Sequence, residues 1–157
     1  MKSIASVQRL KEIDNVISKI KSFPSLTKEA EAYFAQFLIV YICGVYEDLI
    51  ENTVVEMIQK LKANNEIENF IRKTLDTSFR NPDMGKITEL FSKFGNDKWL
   101  LEIKSILEIN RSAFNSISTN KNALAHGSCL FTLTISDVEM YYNNSKYVIE
   151  KIDELLL

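Results

Sequence analysis

The stretch Phe34–Tyr46 reads FAQFLIVYICGVY, and Gln36 is its one plainly polar side chain. Wound as a helix it is apolar nearly all round, and a helix without a polar face must be covered on every side. The 157 residues include only four Gly and two Pro, so there are few breakers and long helices are favoured over many short strands. A fold for this chain therefore has to wrap neighbouring helices, or a second copy of the chain, around this segment. Its most apolar run, Phe37 to Tyr46, is followed at once by Glu47 and Asp48. At about ten residues it falls short of the ~20 that span a bilayer. Gly44 is either a place where another helix approaches closely or a residue tolerated at about 1 kcal/mol.

The remaining chain reads as further helices. From Ser3 to Lys21 the residues Ile4, Val7, Leu10, Ile13, Ile17 and Ile20 recur at helical spacing, and Phe23-Pro24 stops the pattern. Ser25 is a candidate N-cap for the long helix, expected from about Leu26 to Lys62, which regains a polar side through Glu47, Asp48 and Glu51. A third helix is expected over Glu66–Phe79 and is broken by Arg80-Asn81-Pro82. Asp83 caps a fourth, which ends at Gly95-Asn96, and Asp97 caps a fifth. A sixth runs from about Arg111 to His126. Leu130–Ile135 alternates and reads as an extended connector or a short strand with no partner. Ser136 and Glu139 have capping-box spacing at the head of a last helix that reaches the C-terminus. The expectation is one all-α domain over residues 1–157, a bundle of about six or seven helices.

Composition narrows the function. A hydrophobic fraction of 46% with 25% charged residues is globular rather than disordered, and a formal charge of −2 argues against a general nucleic-acid coat protein. Met1–Asp14 has no apolar signal-peptide core, so the chain reads as cytoplasmic, with no membrane partner. Cys43, Cys129 and the lone His126 have no metal-ligand spacing, and Cys43 reads as a small buried hydrophobe. There is no glycine-rich phosphate loop, no nucleophile elbow and no helical His pair. No metal or cofactor is expected. Glu47-Asp48 and Glu29/Glu31 are carboxylate pairs, which on helices are mostly solvated faces.

The chemistry concentrates in Lys121-Asn122-Ala123-Leu124-Ala125-His126-Gly127. Asn122 and His126 are four apart and share a helix face. Lys121 is rotated from His126 by roughly 140°, although its stem is long enough to swing the ammonium toward that face. Gly127 is a natural stop, since glycine takes the left-handed conformation without strain. Two accounts of His126 stand. It is a cap, an imidazolium meeting the negative end of a helix, or it is an acid–base group beside an amide and a cation.

This motif, followed by a short extended piece and a capped terminal helix, resembles that of the HEPN superfamily, in which an Arg, often with a polar residue after it, precedes a His by a short apolar spacer. The segment Gly44–Glu51 is similar to that superfamily's earlier long helix with its aromatic-acidic turn. The resemblance covers most of the chain and is to the prokaryotic RiboL-PSP-HEPN-like branch. It implies a helical bundle, commonly a two-fold dimer, whose paired motifs in many members cleave RNA without metal in toxin–antitoxin, abortive-infection and CRISPR-linked systems. Other members have lost catalysis and bind a protein partner or RNA.

By that resemblance His126, Lys121 and Asn122 are the catalytic candidates. Glu47 and Asp48 are candidates for the substrate side, RNA is the substrate, and an antitoxin or neighbouring defence protein is a partner. The chemistry suits it. RNA carries its own 2′-hydroxyl nucleophile, so the protein need supply an acid–base group that titrates near neutral pH and a cation for the developing phosphorane charge. One histidine per chain gives an acid and a base only in a dimer. Lys121 stands where the motif has Arg, which keeps the charge and loses the planar fork that grips phosphate in two places. Arg111 is too far to replace it, roughly 22 Å from His126 along a continuous helix.

Overall fold

The computed structural model describes residues 1–127 and 132–157. They form seven helices and no strand: α1 (Ile4–Lys21), α2 (Lys28–Lys60), α3 (Asn65–Ser78), α4 (Met84–Lys93), α5 (Asp97–Lys104), α6 (Glu108–Ala125) and α7 (Ile135–Leu156). This is the all-α bundle the periodicity predicts.

Asp83 caps α4 as expected, and the other helix starts differ from the sequence reading by one to three residues. Thr27, not Ser25, caps α2 by accepting from the Ala30 N–H, which leaves Glu29 and Glu31 in the positive first turn. Asn96, not Asp97, caps α5. Helix α6 begins at Glu108 rather than Arg111, entered from Leu107 without a side-chain cap. The box heading α7 is Thr134 with Asp137, not Ser136 with Glu139. Both spacings are present in the sequence. The earlier one draws Ile135 into the helix and buries it at 6% exposure. Of the expected extended piece, Leu130 and Phe131 lie outside the described residues, Thr132 is in a turn, Leu133 and Thr134 are irregular, and Ile135 is already helical.

Helix α2 is the axis of the bundle, packed by α1, α3, α6 and α7. Leu38, Ile39, Ile42, Tyr46 and Ile50 are fully enclosed, with Phe114 and Ile117 of α6 and Val138, Tyr142, Val148 and Ile152 of α7. Tyr46 stacks on Phe114 with ring centroids 5.5 Å apart, and its hydroxyl bonds Ser145 Oγ at 2.7 Å. Each such ring contributes about 1.5–3 kcal/mol by leaving water. The Tyr142 hydroxyl donates to the Leu10 carbonyl, tying α7 to α1. Buried Asp153 accepts the backbone N–H groups of Lys2 and Ser3, so the two ends of the chain meet.

At 33 residues α2 is, among the described residues, the one helix long and apolar enough to cross a membrane, but half of its apolar window is already buried inside the bundle. It serves the core. The cover is nonetheless incomplete. Tyr33, Phe37 and Val40 remain 55%, 52% and 47% exposed. With Tyr41 and Gly44 they form one stripe at three- and four-residue spacing, and the rings of Phe37 and Tyr41 stack at 5.9 Å.

Candidate functional site

The last turn of α6 ends as its sequence dictates. His126 is the C-cap, its N–H bonded to the Asn122 carbonyl at 3.1 Å. Gly127 follows in the left-handed region at φ +80°, and its N–H bonds the Leu124 carbonyl. The side chains of Asn122 and His126 are exposed on one face and bond no described residue.

Lys121 departs from the expectation. Its ammonium does not swing toward Asn122 and His126. It turns instead to the Asn81 Oδ1 in the α3–α4 connection, and lies 3.8 Å from Glu47 Oε1 on α2. Acceptors decide the direction. The solvent face offers the ammonium water, whereas the inner side offers an amide oxygen and a carboxylate in a half-buried setting.

Glu47 is therefore brought to Lys121, and its Oε1 also accepts the Asn81 backbone N–H at 2.5 Å. Asp48 lines the same cleft but is exposed and pairs with Arg9 at 3.1 Å. The cleft, of about 380 Å³, is completed by Glu51, Asp76, Arg80, Leu75 and Phe79. Glu51 meets Arg72 at 3.4 Å and Asp76 meets Arg80 at 3.6 Å. Its four carboxylates thus face four cations, Arg9, Arg72, Arg80 and Lys121. Such exposed pairs are each worth at most about 1 kcal/mol, so they can exchange with an incoming charged group. Leu75 and Phe79 form the wall shared with a second, apolar cavity between α3 and α4, lined also by Phe70, Leu90 and Phe94.

Cys43, one turn before Glu47, is buried with its Sγ 3.9 Å from Glu47 Oε1. Burial, and then the Glu47 charge, push its thiol up to about 12, so it is a packing group and no nucleophile at neutral pH. Arg111 is spent elsewhere, on Glu108 and the Ile103 carbonyl. Among the described residues no three His, Cys, Asp or Glu side chains converge to hold a metal ion.

Asn81 is the residue that the sequence reading missed, having taken it only as part of a breaker. It stands at φ +51°, a conformation that Asn tolerates better than most residues. The one signal was its place between Arg80 and Pro82, since a residue before proline is turned away from the right-handed helix.

The sequence matches the RiboL-PSP-HEPN family over residues 5–157. The chain belongs to the HEPN superfamily. No curated protein and no solved structure matches it. In this HEPN domain the helical scaffold and the motif helix α6 are in place, with Lys121 and Glu47 lining the cleft, Asn81 bonded to both, and Asn122 and His126 outside it.

Proposed function

We propose that this HEPN protein is a two-fold dimer that cleaves RNA through the 2′-hydroxyl, without needing a metal ion, in a prokaryotic toxin–antitoxin or antiviral system. One observation carries the reading. The bare apolar stripe of α2, Tyr33–Phe37–Val40–Gly44, continues on the same helix face into Glu47 and Glu51 of the Lys121 cleft. A copy of the chain docked on that stripe by an isologous contact brings two clefts, and two α6 ends, to one interface.

There His126 removes the proton from the 2′-hydroxyl, the 2′-oxygen attacks the adjacent phosphorus, and the 5′-oxygen leaves with a proton from His126 of the partner subunit. The product is a 2′,3′-cyclic phosphate. Lys121 offsets the phosphorane charge as a point charge, and Asn122 orients phosphate or imidazole. Glu47, by accepting from Asn81 and facing Lys121, holds the cation in place, and Asp48 edges the same cleft. The setting is the cytoplasm, with an antitoxin or a neighbouring defence protein as restraint. The test is cleavage of RNA by EDTA-treated protein, read for cyclic-phosphate ends. Metal dependence, or undiminished cleavage by His126→Ala, refutes it.

A second reading is favoured by the cleft itself, whose four carboxylates are balanced by four cations, so that it carries no excess positive charge for RNA. On that reading the dimer is a non-catalytic module that binds RNA or the product of a neighbouring gene. It requires a stable complex and no cleavage by the purified dimer.

A further inference from the structure

We infer that Asn81 is a positioning residue for Lys121, fixing its ammonium with a neutral acceptor so that the positive charge stays available to a phosphate in the cleft. Asn81 makes three bonds, each with a different group, and all three bear on Lys121. Its backbone N–H goes to Glu47 Oε1 on α2 at 2.5 Å, its carbonyl accepts from Ser118 Oγ on α6 at 3.2 Å, and its side-chain oxygen accepts from the Lys121 ammonium. Ser118 and Lys121 are three apart on α6, so one residue of the α3–α4 connection grips two positions about one turn apart on the motif helix. The Lys86 ammonium bonds the preceding carbonyl of Arg80 and braces the same turn.

Charge decides what this arrangement does. The carboxylate nearest Lys121 is 3.8 Å away, beyond a hydrogen bond, and that same carboxylate oxygen is engaged by the Asn81 N–H. The amide therefore holds the ammonium, while the acid stands one step behind it. An amide oxygen orients a cation without cancelling it, whereas a carboxylate in direct contact would. A lysine lacks the rigid fork of arginine, so a lysine in this place needs an outside group to fix its direction. The left-handed backbone at φ +51° further limits the position to Asn, Asp or Gly at little strain.

The last point supplies two variants that keep the turn. Asn81→Gly leaves both backbone bonds and removes only the acceptor. Asn81→Asp keeps an acceptor and adds a charge. The full chain is used throughout, because the inference deepens the nuclease reading and must be separable from it. The first measurement needs no cleavage: denaturant unfolding of Asn81→Gly, Lys121→Met and the double variant. Contact predicts coupling, with Asn81→Gly raising the unfolding equilibrium constant by a factor at least about threefold smaller when Lys121 is already Met. Additive effects overturn the inference.

The second is cleavage of an RNA oligonucleotide. Asn81→Gly is expected to lower kcat about tenfold or more at nearly unchanged KM. Asn81→Asp is expected to raise KM several-fold, because the Lys121 charge is then cancelled. Wild-type kinetics in Asn81→Asp would show that neutrality is irrelevant, and wild-type kinetics in Asn81→Gly that positioning is. If the wild-type protein cleaves nothing, the nuclease reading falls alone. The unfolding cycle, with binding of an RNA carrying 2′-O-methyl groups to the two Asn81 variants, then decides the inference: weaker binding by Asn81→Asp than by Asn81→Gly supports it, and equal binding overturns it.

Discussion

Lys121 and His126 are five residues apart on one helix, yet the fold treats them in opposite ways. Lys121 is turned inward and fastened by Asn81, with Glu47 close behind. His126 is a C-cap with an exposed ring that touches no described hydrogen-bonding group. The cation is organised within the protomer, while among the described residues nothing orients the imidazole. On the proposed reading the second orientation comes from RNA, from a second subunit, or from both. In the proposed dimer the uncovered stripe of α2, on the same helix face as Glu47 and Glu51 of the cleft, is where that second subunit docks.

The largest expected effect falls on the unfastened end. His126→Ala should reduce cleavage by about 10²–10⁴-fold, the range for a lost acid–base group, with the melting temperature essentially unchanged because the side chain is exposed and bonds no described residue. A large loss of stability would make His126 a structural cap and reverse the contrast. The fastened end should behave the other way. Glu47→Ala orphans the half-buried Asn81 N–H and should lower unfolding free energy by about 1–3 kcal/mol, seen in denaturant titration. Unchanged stability would mean that Lys121 is not held by the protomer.

Gly44 tests whether the missing orientation comes from a second copy. A Cβ built on it meets nothing within 4 Å in the protomer. Gly44→Ala should therefore stabilise the isolated fold by up to about 1 kcal/mol through helix propensity. Gly44→Arg should leave the fold intact and shift the protein to monomer in sedimentation, and cleavage should fall with it. A dimer that survives Gly44→Arg would move the interface away from α2.

The same contrast explains what the sequence made legible. The helices were readable because each carries its own periodicity, and the end of α6 was readable because Gly127 needs only local conformation. The exposed stripe was implicit in a helix too apolar for its neighbours to cover. The inward turn of Lys121 was not readable, since its partners lie 40 and 74 positions earlier and meet it only when α2, the α3–α4 connection and α6 pack. Asn81 in turn carries only the mark of preceding Pro82, which says nothing of Lys121, until those three elements surround it. Caps fell in between. At α7 two overlapping boxes, Thr134/Asp137 and Ser136/Glu139, satisfy the same local rule, and burial of Ile135 selects the first.

That selection gives the smallest effect and a control whose bonds involve none of the site residues. Thr134 Oγ1 donates to Asp137 Oδ2 at 2.7 Å and accepts from the Asp137 N–H at 3.1 Å, while the Thr134 N–H donates to the same carboxylate at 3.0 Å. The Thr134 hydroxyl, and then its backbone N–H, hold the Asp137 carboxyl below its ordinary value. A carboxyl whose folded pKa is depressed contributes stability that is complete above its unfolded pKa, and loses it as pH falls through the folded one. Thr134→Ala should therefore cost about 1 kcal/mol near neutral pH, with the gap to wild type narrowing below about pH 4. Ser136→Ala should change neither, because the other box is unused. A pH-dependent loss in Ser136→Ala but not in Thr134→Ala would put the start of α7 two residues later and return the competition between the two caps to the sequence's own terms.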